Sequence, residues 1–182
     1  TLLRRMAAAR QDPKRVIFAD GEDERVLSAV QTIHEEGIAH CSLIGRPEVI
    51  ETRLKRHGLT IQPGRDFTIV DPDDDPRYRD YVQTYVDAAG RQGITPASAR
   101  LLVRTNATII AALAVKRGDA DAMICGIIGG FHKRLRSIHE IIGLMPDAAG
   151  FSAMSMLITN KGPLFITDTQ VRHDPSPRDI AE

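Results

Sequence analysis

Residues 118–143 read GDADAMICGIIGGFHKRLRSIHEIIG, and the order of features within them sets the fold class. Gly118 and Asp119 make a turn, and the apolar run ADAMICG reads as a buried strand. The glycines Gly126, Gly129 and Gly130 then form a corner. FHKRLRSIHEIIG follows with Phe131, Leu135, Ile138 and Ile142 at helical spacing, which predicts a helix with that face toward the core. A buried strand, a glycine corner and a helix carrying Lys133, Arg134 and Arg136 are the parts from which α/β proteins build phosphate and nucleotide sites.

The same alternation continues on both sides. KRVIFAD, AHCSLIG and DFTIVDP are short apolar runs expected as strands. Between them, EDERVLSAVQTIHEEG places Val26, Ala29, Val30 and Ile33 on one helical face and ends at Gly37, and RPEVIETRLKRHG is a helix stopped by Gly58. A further helix begins after the acidic DDDP, with Tyr78, Val82 and Tyr85 at helical spacing. TPASARLLVRTNATIIAALAVKRG has Thr95 as N-cap and Pro96 at the first helical position; its length suggests two helices broken near Thr105-Asn106. Strand–helix alternation of this kind implies a three-layer α/β/α fold with a mainly parallel sheet. FSAMSMLIT and GPLFITDT, joined by NKG, read instead as a hairpin. Residues 1–140 are therefore read as a first α/β lobe and 141–182 as the start of a second, incomplete one. SPRDIAE has the chemistry of a helix start, with Ser176 as cap and Pro177 at the first position. That start lies close to Glu182, and the chain begins at Thr1, so a piece of a longer protein is expected.

Composition excludes several function classes. The 182 residues hold 24 basic and 24 acidic side chains, five Phe, three Tyr and no Trp, so neither a basic excess nor stacking rings point to nucleic acid. No apolar run approaches the length of a membrane helix, and the first residues lack the apolar core of a signal peptide. Cys41 and Cys125 stand 84 positions apart in apolar runs, as reduced core thiols would in a cytoplasmic protein.

GIIGG is neither GxGxxG nor a P-loop. Two readings fit it: a tight corner beside a solvated basic face, or backbone approach to an anion held by Gly126, Gly129, Gly130, Lys133 and Arg136. His132, Arg136 and His139 share a strip, but no carboxylate or thiol in register completes a metal set. GEDER, residues 21–25, reads as helix-start chemistry and would repel a phosphate there. DPDDDP puts Asp71, Asp73 and Asp75 in calcium-loop register, yet Pro76 replaces the needed Gly and Val82 the needed Glu. Asp168 closes the strand PLFITD, either as a ligand group at a strand end or as a turn cap.

KRVIFADGEDERVLSAV, ITPASARLLVRTNATIIAALAVKRGDADAMICG and FITDTQVRHDPSPRDIAE together resemble the phosphate acetyl/butyryltransferase family, along essentially the whole chain. Within it, DGEDERVL, VRTNAT and ADAMICG are most similar to the C-terminal domain of bacterial hybrid malic enzymes. The resemblance implies half, or slightly more, of a two-lobed phosphotransacetylase (isocitrate-dehydrogenase-like) fold. It implies that Arg136 falls on an arginine the enzymes use near phosphate or CoA. It also shows departures. The enzymes' serine beside the corner is Cys125, and their His-Ser/Thr-Thr run is Gly129, Gly130 and Phe131. The proline after their arginine is Ser137, and an upstream arginine becomes Ala89, with Arg91 nearby. Asp168, Val171, Pro175 and Pro177 are kept from a later motif. The residues thought to perform the chemistry lie outside this chain.

The resemblance therefore implies a regulatory domain that binds acetyl-CoA, or a related acyl-CoA, without transferring acetyl groups. The malic enzyme domain of the same polypeptide, with NADP and Mg or Mn, would decarboxylate malate to pyruvate, and this chain would hold no cofactor of its own. It would join a homo-oligomer through its helices. The alternatives are an active phosphate acetyltransferase and a ligand-free oligomerisation scaffold.

Overall fold

The computed structural model describes residues 2–146, 148, 150–167, 171, 176 and 177. The chain divides into a compact unit, Ala9–Ile142, and the remainder. The larger unit contains β1 (Lys14–Phe18), α2 (Glu24–Glu36), β2 (Ala39–Ile44), α3 (Pro47–Arg56), β3 (Thr68–Val70), α4 (Tyr78–Ala89), a 3-10 turn (Gly90–Gln92), α5 (Pro96–Thr105), α6 (Ala107–Arg117), β4 (Ala122–Ile124) and α7 (Phe131–Ile142). They follow α1 (Leu2–Gln11), a helix the sequence reading did not anticipate; its Arg10 pairs with Glu36 at the end of α2.

All four strands run parallel in the order β3-β2-β1-β4. The period of two divides their side chains between two cores. Phe18 and Leu43 join Leu27, Val30, Ile50 and Leu54, so α2 and α3 cover one face. Ile17, Ile44 and Val70 join Tyr81, Tyr85, Val103 and the whole middle of α6 on the other. The result is the expected three-layer α/β/α arrangement.

The helices start and stop where their caps are. Asp23 accepts the Arg25 amide and begins α2, and Gly37 ends it in the left-handed conformation. Thr95 and Ser98 form a reciprocal capping box on α5. Asn106 ends α5 and caps α6, accepting from the amides of Thr108 and Ile109 at 3.1 and 3.4 Å. The two helices bend by 104° there, at the expected break. Seven of the eleven residues of α6 are buried, which makes it the central helix of its layer. No single helix among the described residues is long and apolar enough to cross a membrane.

Two expected core faces differ in detail. In α2, Leu27 is buried and Ala29 is exposed, because α3 extends the apolar contact around the helix. In α4, Tyr81 is buried as fully as Tyr85, while Tyr78 and Val82 are only half-buried. The Tyr81 ring lies beneath the guanidinium groups of Arg77 and Arg117, 5.5 and 5.9 Å from its centre.

Outside the larger unit, β5 (Met154–Thr159) and β6 (Gly162–Thr167) pair antiparallel as a separate two-stranded sheet around Asn160-Lys161. Met156 pairs with Phe165 on one face and Leu157 with Leu164 on the other, so apolar side chains stand exposed on both faces.

At the amino edge of the large sheet, Asp121 pins β1 to β4. It accepts from the Arg15 amide at 2.8 Å and from its guanidinium at 2.6 Å, and its own amide donates to the Arg15 carbonyl. The Arg15 guanidinium holds the Asp121 carboxyl at about 2. Its unfolded value is about 4, so the contribution to stability is present above pH ~4 and is lost as pH falls toward 2. Asp121→Asn should therefore be less stable than wild type at neutral pH, with the difference closing between pH ~4 and ~2 in acid titrations followed by circular dichroism. Asn106→Ala should lower stability by about 1 kcal/mol in urea unfolding, and Asn106→Gly by only a few tenths.

Candidate binding crevice

The strand order reverses between β1 and β4: the chain steps from β1 to β2 to β3, then returns to β1's other side. In open α/β sheets, ligands bind outside the carboxyl ends of the strands at such a point. Here the carboxyl ends of β1 and β4 lead into Asp20 and the Gly126 corner. Beyond them opens a hollow of about 290 Å³, lined by Asp20, the start of α6, Gly129, Gly130, Lys133 and Arg134. A neighbouring hollow of about 220 Å³ shares Asp20, Thr105, Ala107 and Ile128 and reaches Gly45 and Pro72 at the ends of β2 and β3.

The polar groups here form one network. Asp20 is 8% exposed, and its Oδ2 accepts from the amides of Gly126 and Ile127 at 3.0 and 3.1 Å. Its Oδ1 accepts from Arg134 Nη2 at 2.8 Å. Arg134 also donates to the Ile128 carbonyl, from Nε at 2.8 Å, and to the Thr108 hydroxyl. Thr108 is buried at the start of α6. One carboxylate thus connects the end of β1, the glycine corner, α7 and α6.

Glycine is needed at three points of this crevice. Gly126 and Gly129 have φ of 111° and 92°, a region that side chains with a Cβ rarely adopt. At Gly21 a Cβ would lie 2.6 Å from the Ile44 carbonyl oxygen, because the turn after β1 passes directly over β2. The acids around Gly21 are spent locally. Asp23 caps α2, and Glu22 holds Arg46 through two 2.9 Å bonds that keep its carboxyl below the usual range.

Of the residues singled out in the sequence, Gly129, Gly130 and Lys133 line the hollow, and Gly126 supplies an amide to Asp20. Lys133 is exposed and makes no ion pair among the described residues. Arg136 is exposed and lies outside the hollow's lining. The expected core face of α7 differs in the structure: Phe131 and Ile142 are 46% and 41% exposed, and Ile141 is buried instead. The helix is turned by its ion pair. Arg134 must reach Asp20, and Ile138 and Ile141 follow at i+4 and i+7 on the inward side. Asp168 lies outside the described residues, as do Pro175, Asp179 and most of the expected last helix.

Asp20 and Thr108 went unrecognised in the sequence, and Arg134 stood out only as one of the basic residues of its helix. Asp20 stood beside GEDER as one more acid, and Thr108 sat inside an apolar helix. A threonine at the third position after a break is a weak signal, and nothing local links it to an arginine 26 residues on.

Cys125 follows β4 beside the network. Burial pushes its thiol up, against the opposing pull of Arg134, so it stays protonated and is no activated nucleophile. Cys41 is buried and pushed up to about 11. Among the described residues no group of three or more His, Cys, Asp or Glu side chains could hold a metal ion.

Removing Arg134 would leave the Asp20 carboxylate buried with only two backbone donors. Arg134→Ala should cost about 3 kcal/mol in urea unfolding, toward the lower end for a broken buried pair because the guanidinium is partly exposed.

The chain matches the Phosphate acetyl/butaryl transferase family over residues 2–182. It is 55% identical to the NAD-dependent malic enzyme of Rhizobium meliloti (strain 1021), over 97% of this chain and 23% of that protein. It is 43% identical to the NADP-dependent malic enzyme of Salmonella typhimurium, over 96% of this chain and 23% of that protein. The chain thus spans about a quarter of the length of these relatives. The solved EutD phosphotransacetylase from Staphylococcus aureus shares its fold with a TM-score of 0.85 at 16% identity, covering 98% of this chain and 54% of that one. A phosphotransacetylase from Streptococcus pyogenes matches with a TM-score of 0.82 at 22% identity, covering 98% of this chain and 55% of that one. On this match, and on the parallel sheet with its crevice at the β1/β4 reversal, the chain belongs to the phosphate acetyl/butaryl transferase family.

Proposed function

We propose that this chain is a regulatory domain of a malic enzyme, binding acetyl-CoA at the β1/β4 crevice without transferring its acetyl group. The observation that carries this reading is that the crevice's polar groups are spent on one another. The three bonds that Asp20 accepts, and those that Arg134 donates, are made within the chain. Catalysis of acyl transfer needs donors held ready for charge that develops in the transition state, and donors already engaged do not meet it without first being released. The protonated Cys125, and glycines where the related enzymes carry His and hydroxyl groups, support the same reading. Lys133, with Ile128 and Phe131 exposed nearby in the sequence, leaves a cation beside an apolar rim, chemistry suited to the phosphates and the acyl-pantetheine arm of acetyl-CoA.

The relatives named as malic enzymes supply the rest of the proposal. Malate oxidation to pyruvate, CO2 and reduced nicotinamide nucleotide would occur on a separate domain holding Mg or Mn. Both NAD and NADP are named among the relatives, so the expected NADP widens to either nucleotide. Acetyl-CoA would lower that activity by binding one quaternary arrangement of a homo-oligomer more tightly than another.

The test is calorimetric titration of acetyl-CoA into the full-length polypeptide, with acetyl phosphate formation and malate decarboxylation assayed on the same sample. Saturable binding, no acetyl phosphate and slower malate turnover are expected. Lys133→Ala should weaken binding about tenfold, the scale of one charge-assisted hydrogen bond. Arg136→Ala should leave it unchanged. Acetyl phosphate formation would restore the transferase reading, and absence of both binding and turnover would leave an oligomerisation scaffold.

A further inference from the structure

Asp20 sits where a ligand anion would. Two consecutive backbone amides, those of Gly126 and Ile127, converge on its Oδ2, and Arg134 donates to its Oδ1. Successive amides turned toward one point form an anion-binding concavity, and a guanidinium beside them adds a full positive charge. The concavity depends on Gly126 at φ 111°, so it is built into the corner. The guanidinium is braced from behind by the Ile128 carbonyl and the buried Thr108 hydroxyl. The assembly opens into the hollow lined by Gly129, Gly130 and Lys133 at the reversal of strand order.

A comparison within the molecule shows what is unusual. Asp121 also holds an arginine and an amide, but both belong to Arg15, and the pair joins two strand starts at the exposed amino edge without lining the crevice. The Asp20 side chain is 8% exposed against 36% for that of Asp121, and its donors come from two segments, the glycine corner and α7, instead of one residue. A tie between strands would need only the first kind of arrangement.

We propose that the Gly126 and Ile127 amides and Arg134 form an oxyanion receptor plugged from within by the chain's own Asp20 carboxylate. A phosphate or carboxylate group of a ligand reaches these donors only by displacing Asp20. The tethered carboxylate competes at the high local concentration of an intramolecular group, so weak free anions are excluded. A ligand that also engages Lys133 is favoured, because a second contact offsets the cost of displacement. The receptor is defined by its donors and does not rest on the acetyl-CoA reading.

The test titrates the full-length polypeptide with inorganic phosphate by calorimetry and with formate by thermal unfolding. It compares wild type, Asp20→Ala and Asp20→Asn, each alone and combined with Arg134→Ala. Asp20→Asn keeps the side-chain size and an acceptor for the two amides, and it serves if the Ala variant does not fold. Asp20→Ala should bind phosphate at least about tenfold more tightly than wild type, because the internal competitor is gone, and Asp20→Asn should gain less, because its neutral amide is a weaker competitor for the same donors. Adding Arg134→Ala should remove the gain. Formate should raise the unfolding temperature of Asp20→Ala more than sodium chloride at equal ionic strength, and should leave wild type unmoved. Equal phosphate affinity in wild type and both variants would overturn the proposal. So would a gain that survives Arg134→Ala, or failure of both variants to fold even in excess phosphate, which should refill an empty receptor. The probes are simple anions, so a failure to bind acetyl-CoA would not affect these outcomes.

Discussion

A buried carboxylate must be paired, and at the reversal of the sheet that requirement organises everything around it. Asp20 leaves the end of β1 with its side chain only 8% exposed. The amides of the glycine corner and the guanidinium of Arg134 meet its needs. Arg134 in turn draws on Thr108, so the start of α6 is held as well. The corner's conformation, the rotation of α7 and the position of α6 are three consequences of neutralising one charge.

The same pairing bears on function. A crevice at the carboxyl edge of a parallel sheet is where open α/β sheets hold ligands. What differs is the state of the donors. They are engaged by the chain itself, and the proposed role of binding without catalysis rests on that, since a transition state gains little from donors that must first be freed. The protonated thiol of Cys125 fits beside such a site as a packing group.

Much of the architecture was legible from periodicity and punctuation. The strands came from apolar runs, the α5–α6 break from Asn106, and the hairpin from NKG between two apolar stretches. Errors fell where two readings of one helix differ by a modest rotation about its axis. In α7, Phe131, Leu135, Ile138 and Ile142 make a sound apolar stripe on paper. The folded helix places Arg134 and Ile141 inward, where Arg134 pairs with Asp20, and leaves the two terminal apolar residues partly exposed. Arg136, on the strip that the stripe implied, ends on the exposed side. α1 carries too little apolar surface for its periodicity to stand out, and its arginine finds α2 only in the folded chain.

By itself, the sequence determined the order of strands and helices after α1, the Thr95 cap and the location of the glycine corner, because each depends on neighbours within a few residues, and the strand–helix alternation carried the fold class. It also carried the family resemblance, which depends on the spacing of short motifs. The tertiary structure alone decided which charges occupy the crevice. Asp20, Thr108 and Arg134 are separated by 88 and 26 positions, and no local rule relates them. They meet because a parallel sheet brings the carboxyl ends of distant strands to one edge, where a buried carboxylate has to find its partners.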